Sequence, residues 1–418
     1  PDAITYPETS EEVSKIIKFA SKNNIPVIPF GTGTALEGHI HALKGGITIN
    51  SSKMNKIIEL NNSDMDCRVQ AGVTRKELND YIRDTGLFFP VDPGANASIG
   101  GMCATRASGT TTVKYGTIRE QVMGLEVVMP DGKIIKTGTR ARKSAAGYDL
   151  SHLMLGSEGT LGFITEINLK LHGRPEAISA GVCTFKDLKG AIDTVIESIQ
   201  VGLPLSRIEL LDEVQIKAIN QYKKVSHEIG PTLFVEIQGM PLSVKEQSEI
   251  FRDIAEANNI LKFQWSDRSE EIEVLWSARH DAYYAALALA PGKKAFTTDI
   301  CVPISNLTDC IIETKKDIEQ SNIIAPIVGH VGDGNFHLIM LLDPENKKEV
   351  SEAKHLNDKL VNRALKMEGT STGEHGIGIG KKEFLKTEQG LSVEIMSQIK
   401  KAIDPKNIMN PGKIFDIN

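Results

Sequence analysis

Residues 88–109 read FFPVDPGANASIGGMCATRASG, a stretch whose only charges are Asp92 and Arg106. So many glycines, alanines and serines in succession offer too little apolar bulk for a core strand and too few polar side chains for a solvated loop. What they offer is a surface lined by backbone, because glycine permits tight turns and close approach. Two further segments have the same character: residues 31–38 (GTGTALEG) and residues 156–162 (GSEGTLG). Consecutive small residues present backbone N–H groups to a diphosphate. Each loop alone reads better as tight turns in a packed α/β domain. The three together favour one long cofactor.

Two nucleotide fingerprints fail on inspection. After Gly31 and Gly33, Leu36 stands where the third glycine of GxGxxG is required. Gly380, Lys381 and Lys382 resemble the end of a P-loop, but position 375 is His and Lys382 replaces the Ser or Thr.

Around these loops helices and strands alternate. Thr9 and Glu12 have capping-box spacing ahead of Val13, Ile16, Ile17 and Ala20, which predicts a helix leading into a strand over 25–30. Strands are expected over 46–50 and 68–73. A second box, Thr74 with Glu77, opens a helix that stops at Gly86. Residues 125–129 and 133–136 flank the turn Pro130-Asp131-Gly132. After Leu171 longer amphipathic helices set in, so the break between domains is placed at 172–175.

A chain of 418 residues exceeds what one hydrophobic core usually supports, so two or more domains are expected. A net charge of −6 without basic blocks excludes a nucleic-acid footprint. The five cysteines are odd in number and never in CxxC pairs, against a disulfide framework or iron–sulfur cluster and for a reducing compartment. No apolar run reaches the roughly 18 residues of a membrane span, leaving peripheral membrane contact as the only kind expected. The chain opens at Pro1 without a methionine, so a trimmed or processed chain is expected, and the absence of a targeting segment carries no weight.

The segment GHVGDGNFH (residues 329–337) carries the densest chemistry. Asp333-Gly334 is a type I′ hairpin signal between apolar runs over 323–328 and 336–342. With those two residues as the loop, His330 and His337 are directly opposed, Cβ atoms about 4.5–5.5 Å apart, close enough to share a metal. Two independent hydrogen-bonding histidines on a sheet surface explain the pair equally well. Glu374 and His375 follow in a glycine-flanked segment expected to be flexible.

The strings PFGTGTALEG, PVDPGANASIGGMCATRASG, YGTIREQV, ARKSAAGYDL and GSEGTLGFITE, in this order, resemble the FAD domain of the vanillyl-alcohol-oxidase flavoprotein superfamily. With GHVGDGNFH, GTSTGEHGIG and IMNPGKIF, nearly the whole chain is similar to the FAD-linked D-lactate dehydrogenase branch, shared with glycolate and D-2-hydroxyglutarate dehydrogenases. The resemblance implies an α+β fold: a two-subdomain FAD-binding domain over 1–174, an α+β cap domain with an antiparallel sheet over 175–370, and a C-terminal segment over 371–418 carrying the base. It places Phe30, Gly31, Thr32, Gly33, Thr34 and Ala35 at the pyrophosphate, with Ala35 where many relatives have glycine. Pro93, Gly94, Ser98, Ile99, Gly101, Met102, Thr105, Ser108 and Gly109 fall along the flavin and ribityl chain, Gly159 and Ile164 beside the adenine, and Asn410 also at the cofactor. His39 does not match the usual covalent attachment position, so noncovalent FAD is expected.

The resemblance further implies that His330, His337 and Glu374 bind one divalent metal, Mn or Zn, that His375 is the catalytic base, and that Arg279 binds the substrate carboxylate. An arginine on a helix surface is the competing reading of Arg279. His280 beside it is expected to be structural. Relatives acting on 2-hydroxyglutarate carry an Asn and a Lys where this chain has Ile339 and Thr297, which points to a short or apolar D-2-hydroxy acid, D-lactate before glycolate, oxidised to pyruvate. Cytochrome c or a quinone-linked carrier is the expected electron acceptor. The expected address is mitochondrial in a eukaryote, otherwise cytoplasmic or at the inner membrane. Within flavoenzymes an oxygen-using oxidase is the rival, and in another class a metal-dependent hydrolase.

Overall fold

The computed structural model of the chain describes residues 1–417. They form two compact units, one of Pro1–Gly109, Tyr115–Arg174 and Glu374–Asn418, the other of Thr110–Lys114 and Pro175–Gly373. Thr110–Lys114, inside the expected first domain, belongs to the second unit; a later break lies at Arg174/Pro175, and the C-terminal segment separates at Gly373/Glu374, three residues beyond the expected 370/371.

Among the described residues the first unit holds three sheets, the smallest of them Leu87–Phe88 paired with His172–Gly173. Ala3–Thr5, Ile47–Asn50 and Val27–Phe30 make a parallel three-stranded sheet. The helix Ser10–Asn23 buries Val13, Ile17 and Ala20 in the core beside it, with Val27 and Ile49. Its cap differs from a full box: Thr9 accepts from the Glu12 N–H, while the Glu12 carboxylate accepts from Glu8 N at 2.7 Å. The second sheet is antiparallel, in the order Ile57–Asn61, Asp66–Gln70, Phe163–Lys170, Val122–Val128, Ile134–Gly138. Val69, Leu125 and Ile167 share a core with Ile99, Met102 and Cys103 of the helix Ile99–Thr105. The Thr74/Glu77 capping box forms in full, and the chain leaves that helix through a 3-10 turn to Gly86 at φ 74°.

Near the small-residue segment, half-buried His172 pairs across strands with Phe88, meets the Tyr115 ring edge-on and bonds Gln121 at 2.8 Å. Burial, then the charges of Lys170 and Arg142, push its pKa down to about 4. The unfolded chain, with histidine near 6.5, binds more protons between those values, so this stabilisation is intact above about pH 6.5 and is lost as pH falls toward 4. Melting temperatures of the wild type and His172→Gln, measured from pH 7.5 to 4.5, should show the steeper acid loss in the wild type. Parallel curves would refute it.

The second unit is built on one antiparallel sheet in the order Ile260–Ser266, Ala177–Phe185, Thr232–Gly239, Leu205–Leu211, Ile327–His330, Asn335–Leu342, Lys294–Thr297, with Ile300–Cys301 also pairing with Asn335–Leu342. Strand residues alternate between its faces. On one face Leu211, Phe234, Val328, Ile339 and Leu341 meet Ile216 and Ile219 of the helix Glu213–Lys223, Trp276 and Ala278 of Ser269–His280, and Ala282, Ala285 and Ala286 of Ala282–Ala288. The alanines let the last helix lie close. The alternate residues Phe336, Leu338 and Met340 are buried on the opposite face. The fold is α+β, with the antiparallel sheet expected for the second domain.

Candidate functional site

In the first unit the three small-residue loops are bonded to one another. Ser98 N donates to Thr32 Oγ1 at 3.4 Å, Gly156 N to the Cys103 carbonyl and Glu158 N to the Ala104 carbonyl, both at 2.9 Å. Thr32, Gly33, Thr34 and Gly94 are exposed, with Gly31, Ala35 and Pro93 partly so. A side chain at Gly31 would run into Ser98 Oγ, 2.4 Å from its would-be Cβ, and one at Gly33 into the Phe30 ring. Ser98 is buried, and among the described residues its hydroxyl has no hydrogen-bond partner. An orphaned hydroxyl beneath a backbone-lined, exposed surface is the arrangement a polar cofactor would complete.

The other residues placed at the cofactor divide by what their side chains do. Ile99 and Met102 point into the core and offer only backbone. Ile164 is buried on its strand, and Gly159, at φ 70°, rests on Pro29. Gly109 has no room for a side chain because of Asp92. Thr105 Oγ1 bonds back to the Gly101 carbonyl. Asn410 is a staple, its Nδ2 donating to the carbonyls of Glu158 at 2.7 Å and His39 at 3.1 Å. Ser108 donates not to a distant ligand but to Glu374 Oε2, at 2.6 Å.

Glu374 and His375 lie in this unit, the His375 Nε2 3.9 Å from Glu374 Oε1. The segment expected to be flexible is anchored. The Glu158 carboxylate accepts from Ile377 N at 2.7 Å and Gly378 N at 2.8 Å, one oxygen to each, with His39 Nε2 at 3.3 Å. Glu158 itself adopts φ 52°, a conformation costly for a residue with a side chain. Gly376, at φ 79°, is required because a Cβ there would lie 2.8 Å from both Glu158 and His39. Two backbone bonds to a buried carboxylate thus fix the chain immediately after His375.

In the second unit the histidine pair forms, but not in the expected register. His330 pairs with Asn335 and Val328 with His337. The turn is a 3-10 segment Val331–Asp333 closed by Gly334 at φ 77°, not a two-residue I′ loop. Gly334 is held there from outside the hairpin, accepting at 3.0 Å from Val302 N. The shift leaves His330 and His337 on one face as diagonal neighbours, a separation long side chains span. Their rings are 5.5 Å apart and nearly perpendicular, with ligand nitrogens within 4.8 Å. His337 Nδ1 is 2.9 Å from the Thr298 carbonyl, and His330 Nδ1 is 2.7 Å from Glu209 Oε1. A carbonyl only accepts, so the His337 proton is on Nδ1 and its lone pair on Nε2. Ionised Glu209 imposes the same on His330. Two imidazoles presenting Nε2 on one face are a donor set that fits a divalent metal.

Arg279 is no helix-surface residue. It is largely buried, and its Nε and Nη2 donate to Glu209 Oε2 at 3.0 and 2.6 Å. Burial raises the Glu209 pKa, but the charges of His330 and Arg279 and their hydrogen bonds outweigh it, holding the carboxyl below its ordinary range. Thr297 and Ile339, the two positions that separate substrate classes, are directly paired across strands. Ile339 is 3% exposed, on the face that carries His337. The sequence reading missed Glu158 and Glu209. Neither has a local signature, one being lost in GSEGTLG and the other in a strand followed by a helix cap.

Two families match. The FAD binding domain covers residues 1–138, and the family described as FAD linked oxidases, C-terminal domain, covers residues 174–414. The chain is 49% identical over its whole length to the probable mitochondrial D-lactate dehydrogenase of Danio rerio, spanning 85% of that protein. It is 46% identical over 99% of its length to the mitochondrial D-lactate dehydrogenase (cytochrome) of Arabidopsis thaliana, spanning 73% of it. The solved 4-ethylphenol oxidase of Gulosibacter chungangensis has a similar fold at 18% identity, with a TM-score of 0.80 over 99% of this chain and 89% of that one. With both domain families in sequence and relatives matched along the whole of this chain, it belongs to the FAD-linked oxidases.

Proposed function

We propose that the chain oxidises D-lactate, and related short or apolar D-2-hydroxy acids, to the 2-oxo acid with noncovalently bound FAD. The observation that carries this reading is the similarity, along 99–100% of this chain, to proteins named D-lactate dehydrogenase. The loops around Gly31, Ser98 and Gly159 would hold FAD. His39, the residue to weigh for covalent attachment, is buried against Glu158. His330, His337 and Glu374 would hold one divalent ion, Mn or Zn. Glu374 follows directly on Gly373, which packs against Asn335, the strand partner of His330. When bound, FAD supplies a two-electron acceptor and the ion a Lewis acid that favours loss of the hydroxyl proton.

This chain's own residues supply the rest. Arg279 commits its Nε/Nη2 edge to Glu209 and keeps its end-on edge for the substrate carboxylate. His375, on its anchored segment, accepts the hydroxyl proton. An apolar Ile339 beside Thr297 gives no partner to a second substrate carboxylate, whose burial there would be costly. Electrons would pass to cytochrome c or a quinone-linked carrier, in the mitochondrion if the source is eukaryotic. Among the described residues no helix is long and apolar enough to cross a membrane.

Anaerobic titration of the yellow holoenzyme tests the reading. D-lactate and D-2-hydroxybutyrate should bleach the flavin fastest, glycolate more slowly, D-2-hydroxyglutarate slowest and L-lactate not at all. Preferential bleaching by glycolate or D-2-hydroxyglutarate would move the chain to those branches. A colourless protein unable to take up FAD would leave the hydrolase reading in its place.

A further inference from the structure

Glu209 is a fully buried carboxylate in the strand Leu205–Leu211, and it is shared. Oε1 faces His330 Nδ1 at 2.7 Å, while Oε2 takes both Nε and Nη2 of Arg279. The register explains how one side chain reaches both. Leu210 pairs with Gly329 and Leu211 with Val328, so one step further along the strands Glu209 lies beside His330 on the same face. Arg279 arrives from the C-terminal turn of the helix Ser269–His280, which packs on that face.

We propose that Glu209 is a positioning residue that orients both His330 and Arg279, joining cation binding to recognition of the substrate carboxylate through one buried group. The inference rests on the metal and carboxylate roles proposed above for those two residues. By accepting the Nδ1 proton of His330, Glu209 directs the Nε2 lone pair outward. By accepting from Nε and Nη2 together, it fixes the guanidinium plane of Arg279 and turns the end-on edge to the ligand. A merely structural carboxylate would be replaceable by an isosteric amide. Here it is not: glutamine offers one acceptor and one NH2 group, so it can serve His330 or Arg279 but not both.

The test uses holoenzyme that retains FAD, stripped of metal by chelation and titrated with Mn2+ by following the resonance of the free ion. In Glu209→Gln, flavin content stays normal, the Mn2+ dissociation constant rises by about 10- to 100-fold or the D-lactate KM at saturating Mn2+ rises by a similar factor, and the maximal rate falls less than KM rises. Should Glu209→Gln fail to fold, Glu209→Asp keeps the charge but retracts it from both partners and must show the same losses. Unchanged Mn2+ affinity and unchanged KM, in a variant that still binds FAD, overturn the inference. The His330→Ala holoenzyme separates this from failure of the underlying reading. If it too binds Mn2+ normally, His330 is no ligand and both fall; if it alone loses Mn2+, only the role of Glu209 falls.

Discussion

Replacing His375 by Asn should leave a yellow protein that D-lactate no longer bleaches. The asparagine keeps a polar side chain of modest size but cannot accept a proton near neutral pH. Loss of a positioned general base costs about 10²- to 10⁴-fold, so the rate constant for anaerobic flavin reduction should fall by about three orders of magnitude. Flavin content should not change. The loops at Gly31 and Ser98 are bonded to one another and to the Gly156 loop. The Glu158 bonds that fix the segment go to the backbone of Ile377 and Gly378, which the substitution leaves intact. Stopped-flow reduction with flavin content measured on the same sample checks both halves. Near-normal reduction would remove His375 as the base.

The second large effect is expected from His330→Ala, which should lose bound metal and activity together. One ligand of the proposed set disappears, and Glu209 keeps Arg279 as its partner but loses the imidazole bonded to its other oxygen. Removing one partner of a buried charge costs about 3–5 kcal/mol when nothing else compensates, and the remaining guanidinium should hold the loss below that range. The variant should therefore fold with a lowered melting temperature and bind FAD. Metal analysis of the purified variant, beside wild type before and after chelation, gives the comparison: stripped wild type and His330→Ala should be equally slow, and only the wild type should recover with added Mn2+ or Zn2+. Activity that survives complete chelation would rule out the metal's role.

Much of the architecture was legible because its determinants are local. The Thr74/Glu77 box and the turn at Gly132 each depend on residues within a few positions, and each forms, while the helix after the box ends at Tyr81 and Gly86 closes the 3-10 turn that follows it. The histidine hairpin shows where such reasoning ends. Asp333-Gly334 favours a two-residue turn by itself, but Gly334 is bonded to Val302 from another part of the chain, and the wider 3-10 turn prevails. The register moved, so the expected direct pairing of the two histidines did not form, although both kept one face as diagonal neighbours. Glu209 was invisible for the same physical reason. Its partners lie 70 and 121 residues away, and no periodicity links them. Glu158 reaches 219 residues along the chain to Ile377.

The interrupted layout of the first unit bears on the order in which a ribosome delivers the chain. Once Gly373 has emerged, every residue of the second unit exists, whereas the first still lacks Glu374–Asn418. Those late residues are integral to it: Ile408 and Met409 fill the core with Val13 and Val27, Lys400 donates to the Thr160 carbonyl, and Asn410 ties Glu158 to His39. The unit that carries the FAD-binding loops is therefore completed only after the second one. A chain interrupted before Glu374 would hold every residue of the second unit and an unfinished first unit.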